Sequence, residues 1–142
     1  MYKEILLPVD LNNAETQQKA LDAAVTFAKT FGARLHVMTI VPDFGVGVVG
    51  SYFTIEQQQK ALQETADRLH DYVTKQIPEG VDVQHIVAQG RIYDEILIMA
   101  KKTGVDLIVM ASHRPELKDY LLGPNAARVV RHAVCSVLVV RD

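Results

Sequence analysis

The chain has 142 residues, with 15 Lys and Arg against 17 Asp and Glu for a formal charge of -2; 49% of it is apolar and 23% charged. A chain of this length buries roughly two-thirds of its unfolded surface, enough for one core without disulfide or metal staples, and it is too apolar for a disordered protein. A pI near 6.2 excludes the broad positive field of a non-specific nucleic-acid binder, and a single cysteine, Cys135, excludes an internal disulfide.

The opening Met1-Tyr2-Lys3-Glu4 passes directly into a short apolar run instead of a secretory h-region, so a cytosolic protein is expected. That run, Glu4 to Val9, reads as a first strand. A helix follows from about Ala14 to Phe31, with Ala20, Ala24, Phe27 and Phe31 on one face and Gly32 as its stop. Arg34 to Val41 is a second strand, closed by Pro42. After a glycine-rich stretch, Thr54 to Ile77 is the clearest amphipathic helix, with Ile55, Leu62, Ala66, Leu69, Val73 and Ile77 on its apolar stripe. Asp82 to Ala88 is a third strand that turns Val83, His85 and Val87 to one face. Gly90 separates it from a helix over Tyr93 to Thr103, which Gly104 caps. Asp106 to Ala111 is apolar on both faces, as a central parallel strand is. The loop Ser112 to Leu122, a short helix from Pro124 to His132 and a last strand from Ser136 to Val140 complete the chain.

This strict alternation predicts one α/β domain over residues 1–142: a doubly wound five-stranded parallel sheet with helices on both faces. The apolar runs fall far short of the roughly 20 residues of a membrane span, so no membrane partner is expected. In such a sheet ligands bind outside the carboxyl ends of the strands, where the strand order reverses. Functional residues are therefore sought at strand ends.

Three strand ends carry interesting chemistry. Asp10 follows the first strand, where a carboxylate can bind a metal, accept from a ribose hydroxyl, or simply cap the next helix; Asn12 and Asn13 compete for the capping role. Gly45-Val46-Gly47-Val48-Val49-Gly50 spells G-x-G-x-x-G, but Pro42, Asp43 and Phe44 intervene after the strand, and the position 20 residues on lies inside a helix where an acidic strand end is required. An apolar flap over the crevice is the better reading. The third end holds an anion-binding pattern: Gly123, Asn125 and Ala126 stand at a helix mouth with free amides, and Pro124 suits the first helical position. His113 and Arg114 add a donor and a fixed positive charge, although an ordinary surface loop has the same letters.

Other residues suggest less. His36, His70 and His85 are spread too widely in sequence for metal-ligand spacing and read as packed or solvated. His132 suits a helix C-terminus, and Cys135 reads as a small buried hydrophobe. Ser112 and His113 are adjacent, the wrong geometry for a nucleophile and its base, so no catalytic constellation is present.

The opening Ile5-Leu-Leu-Pro-Val-Asp10, the segment Gly90 through Asp106-Leu-Ile-Val-Met-Ala-Ser-His113, and the ending Leu121-Leu-Gly-Pro-Asn-Ala-Ala-Arg-Val-Val-Arg-His-Ala-Val-Cys-Ser-Val-Leu-Val-Val140 together resemble the universal stress protein family over the whole chain. His113-Arg-Pro, Tyr120-Leu-Leu-Gly and Asn125-Ala-Ala resemble its enterobacterial F-type branch in particular. The resemblance implies the adenine nucleotide alpha hydrolase-like sheet with strand order 3-2-1-4-5. Nucleotide-binding members carry G-x-x-G, nine residues, then G-S or G-T. Here Ala111 and Arg114 replace the two glycines, eight residues separate Arg114 from Gly123, and Pro124 replaces the hydroxyl residue. In the F-type branch the alanine and arginine are usual and ATP is still bound, Arg114 supplying as a charge what glycine amides supply elsewhere.

Position by position, the resemblance implies Pro8, Val9 and Asp10 along the adenosine, with Asp10 on the ribose or a magnesium ion. It places the backbone of Ile40 at the adenine, Met110, Ala111 and His113 on the ribose and phosphate side, and Gly123, Asn125 and Ala126 around the phosphates. It also implies a homodimer through Val137 to Val140, with a tetramer as a further assembly. The expected function is an ATP-binding, nucleotide-dependent regulatory module of the stress response. A slow ATPase and a nucleotide-free interaction module are the alternatives.

Overall fold

A computed structural model describes residues 1–41, 54–112 and 123–141. Its strands are β1 (Glu4–Pro8), β2 (Arg34–Val41), β3 (Val83–Gln89), β4 (Leu107–Ser112) and β5 (Ser136–Arg141), and its helices α1 (Gln18–Phe31), α2 (Ile55–Gln76), α3 (Ile92–Thr103) and α4 (Pro124–His132). The strands are all parallel and lie in the order β3-β2-β1-β4-β5. The order expected for the family is thus found, and the chain reverses direction across the sheet between β1 and β4.

Alternation along the strands feeds two cores, one on each face. On one face Leu7, Leu35, Val37 and Val109 meet Ala20, Leu21, Ala24 and Ala28 of α1 and Leu69 and Val73 of α2. On the other, Leu6, Met38, Ile108 and Met110 meet Ile96 and Ala100 of α3 and Ala126 and Val129 of α4. Each fully buried Leu, Ile or Val side chain contributes about 1.5–3 kcal/mol, so the two layers supply most of the driving force for folding. Below β1, Tyr2 meets Phe27 and Phe31 edge-on, with ring centroids 6.3 and 5.9 Å away. The amino-terminal ends of β1 and β4 are joined by Asp106, whose carboxylate accepts from the backbone N–H groups of Lys3 and Glu4 at 2.9 and 3.1 Å.

The structure departs from the sequence-based elements at three places. The helix expected from Ala14 is a 3-10 stretch over Leu11–Gln17, with non-helical Asn13 inside it, and regular α1 begins only at Gln18. The cause is local competition: the Asp10 carboxylate accepts from the Asn12 N–H, and the Thr16 hydroxyl donates to the Asn13 carbonyl. The third strand does not turn one face to solvent, because Ile86 and Ala88 pack into the α3 and α4 core while Val83 and Val87 pack opposite. The first strand ends at Pro8, one residue early, although the Val9 N–H still donates to the Met38 carbonyl at 2.7 Å.

Helix ends follow their sequence signals. Gly32 and Gly104 adopt φ of +63° and +70° at the ends of α1 and α3, a conformation a Cβ would strain. At the start of α2 the Thr54 hydroxyl accepts from the Gln57 N–H while the Gln57 amide oxygen accepts from the Thr54 N–H, a reciprocal capping box. Thr54→Ala is therefore expected to cost about 1 kcal/mol and lower the melting temperature by about 2–4 °C. Thermal unfolding followed by circular dichroism checks this, and an unchanged midpoint would show that the cap contributes nothing.

Candidate functional site

A cleft of about 990 Å³ opens at the carboxyl ends of β1, β2 and β4, at the reversal point. Pro8, Val9 and Asp10 leave β1 along one wall, Ile40 ends β2, Met110 and Ala111 end β4, and Gly123, Pro124, Asn125 and Ala126 form the mouth of α4. All ten residues come together in this one cleft. His113, Arg114 and the glycine-rich run from Gly45 to Gly50 lie outside the described residues.

Each wall has a physical cause. Asp10 is exposed and both of its oxygens work locally, one accepting from the Asn12 N–H at 3.0 Å and the other from the Asn13 side-chain amide at 2.9 Å. It is thus a cap and a cleft residue at once. Buried Thr39, only 5% exposed, donates from Oγ1 to the Val9 carbonyl at 3.0 Å and ties the ends of β1 and β2 together. Gly123 precedes α4 with no capping side chain, and Pro124 occupies the first helical turn. The N–H groups of Asn125 and Ala126 have no acceptor within the helix, and the helix dipole adds partial positive charge where they point. The Gly123 N–H donates to the Ser112 hydroxyl at 3.2 Å, which draws the helix mouth onto the end of β4.

Several lining residues escaped the sequence reading, among them Thr39, Ser112, Glu64 and Arg68. Arg68, from α2, donates to the Leu11 carbonyl and to Asn12 Oδ1, both at 3.2 Å, and holds the 3-10 stretch from across the cleft. In sequence it is one more polar residue beside the buried Leu69, with no signal of its own. Among the described lining residues three carboxylates, Asp10, Glu15 and Glu64, face the single guanidinium of Arg68. No group of three or more His, Cys, Asp or Glu is placed to hold a metal ion among the described residues. A lone Asp10 suits a magnesium ion coordinated chiefly by phosphate and water, not one caged by protein.

A smaller groove of about 470 Å³ lies between α3 and α4, lined by Tyr93, Leu97, Arg128 and Cys135. The Arg128 guanidinium sits 4.6 Å over the Tyr93 ring. Burial pushes the Cys135 thiol up from its ordinary range, which disfavours the reactive thiolate and agrees with a packing role. His36 is buried, with Nε2 2.6 Å from the Glu4 carboxylate. No described helix is long and apolar enough to cross a membrane.

The Universal stress protein family matches residues 1–141. Universal stress protein G of Shigella flexneri is 32% identical over 143 residues, covering 99% of this chain and all of that one. The structure of hypothetical protein MJ0577 superposes with a TM-score of 0.80 at 28% identity, covering 100% of this chain and 97% of that one. Universal stress protein UspA from Lactobacillus plantarum gives a TM-score of 0.73 at 25% identity, with 99% and 98% coverage. Two structures of the same fold, each 20% identical with a TM-score of 0.62, are a universal stress protein in complex with cAMP and one from Archaeoglobus fulgidus in complex with dAMP; the first covers 99% of this chain and 97% of its own, the second 97% of each. A family match over nearly every residue, relatives aligned end to end and the same five-stranded sheet agree: this chain belongs to the universal stress protein family.

Proposed function

We propose that this protein is a cytoplasmic, single-domain universal stress protein that binds ATP with magnesium in the cleft between β1 and β4 and acts as a nucleotide-dependent regulatory module. The observation that carries the reading is the uncapped mouth of α4, whose Asn125 and Ala126 amides open into the same cleft as Asp10 and Ile40. A cleft of about 990 Å³ has room for a nucleotide. The adenine lies against the backbone of Ile40, the ribose against Asp10 and Met110, and the phosphates at the helix mouth. Among the described lining residues three carboxylates stand against one arginine, so magnesium, held partly by Asp10, helps to offset the charge of the triphosphate. The complexes of related folds with cAMP and dAMP lend support to an adenine ligand.

Hydrolysis is at most slow. Asp10 is committed to Asn12, Asn13, the ribose and magnesium together, so it is not placed as a general base toward water. The homodimer forms through β5, which pairs with β4 along one side and carries Val137 to Val140 along its length.

Isothermal titration of the purified protein with ATP and magnesium tests the reading. Heat of binding and a rise in melting temperature are expected. The absence of both heat and a thermal shift at millimolar ATP would overturn it and favour an interaction module, the alternative that Ala111 and Arg114 in place of two glycines and Pro124 in place of a hydroxyl residue suggest.

A further inference from the structure

Outside the nucleotide cleft, the fold brings together two histidines that are far apart in sequence. His70 on α2 and His85 on β3 are both exposed, and their ring centroids are 5.3 Å apart with the planes at 45°. Two imidazoles bound to one tetrahedral zinc, with Zn–N bonds of about 2.0–2.1 Å, have centroids about 5 Å apart. We propose that His70 and His85 form a two-histidine site for a divalent transition ion, zinc in particular, completed by water and joining α2 to the edge strand β3.

The chemistry of the pair favours this use. Imidazole ligates a metal only when neutral. Both rings lie at the surface, where an ion from solvent can reach them. Zinc and copper are the divalent ions that imidazole suits best, whereas magnesium prefers oxygen. No third His, Cys, Asp or Glu joins the pair among the described residues, so the remaining positions face solvent and the site is an exchangeable one. The ion acts as a staple: it binds the folded chain, in which the rings are neighbours, more tightly than the unfolded chain, in which 14 residues separate them.

The test uses the full chain, freed of metal by a chelator and of nucleotide by dialysis, then titrated with zinc chloride by calorimetry and melted with and without zinc. One zinc per chain and a melting temperature raised by several degrees at about 100 times the dissociation constant are expected. His70→Gln and His85→Gln should each weaken that binding about tenfold or more, since each leaves a single imidazole. Their zinc-free melting curves verify that both variants fold. No binding at millimolar zinc, undiminished binding in either variant, or saturation at one zinc per two chains would each overturn the proposal.

Discussion

Asn125→Glu is expected to weaken ATP binding about 10- to 100-fold while leaving the melting temperature unchanged or slightly raised. The two effects have opposite signs because one charge meets two partners. A carboxylate in the first turn of α4 faces the partial positive charge of the helix mouth, which stabilises the apo protein by about 0.3–1 kcal/mol. Asn125 is half-buried on the cleft wall, so the same carboxylate stands where the phosphates are proposed to lie. Repulsion between like charges in this partly desolvated place is worth about 1.4–2.7 kcal/mol, which is the stated loss of affinity. Calorimetry gives the affinity and thermal unfolding the stability. A variant that keeps full affinity for ATP would remove the α4 mouth from the site. One that loses affinity and stability together would point to damage to the fold.

Ile108→Ala is expected to have the largest effect on stability. Ile108 is fully buried in β4, paired in register with Leu6 of β1 and Val137 of β5, and it belongs to the core under α3 and α4. Truncation removes the transfer energy of the lost carbons and leaves a cavity that a central strand, held on both sides, cannot collapse to fill. The loss is about 2–5 kcal/mol, or a fall in melting temperature of about 10 °C. Ile98→Ala is the control, because Ile98 is 54% exposed on α3 and its truncation should stay within about 0.5 kcal/mol. Denaturant midpoints for the two variants decide the point. Equal losses would contradict the assignment of β4 to the centre of the sheet.

How far these features are legible in the sequence differs from residue to residue. The apolar stripe from Leu62 to Val73, the doubly apolar run from Leu107 to Met110 and the stops at Gly32 and Gly104 identify their elements to within a residue or two. Each is a local signal: periodicity reports which side of an element is buried, and a glycine after it reports a left-handed turn. The 3-10 start over Leu11–Gln17 was not legible, because in Asp10, Asn12, Asn13 and Thr16 side-chain bonds to nearby groups displace helical ones without altering the apolar pattern. The second buried face of β3 was hidden for a different reason. Whether Ile86 and Ala88 meet solvent or a helix depends on where α3 returns, not on β3 itself.

The sequence alone determined the alternation of strands and helices, and with it a parallel sheet with a cleft expected at its strand ends. Strand ends and a helix start pointed to Asp10 and to Gly123-Pro124-Asn125, and the family resemblance to Ile40 and Met110, all of which line that cleft. The tertiary structure alone decided which of the more distant residues join them: Arg68 reaches Leu11, 57 positions away, and the Ser112 hydroxyl meets the Gly123 amide across a gap of 11. It also set His70 against His85, which sequence spacing had separated. The reason is physical. Burial leaves its mark on the residues of a single element, whereas contact between elements is set by strand register and by the path of each crossover, which depend on the whole sheet and have no local signature.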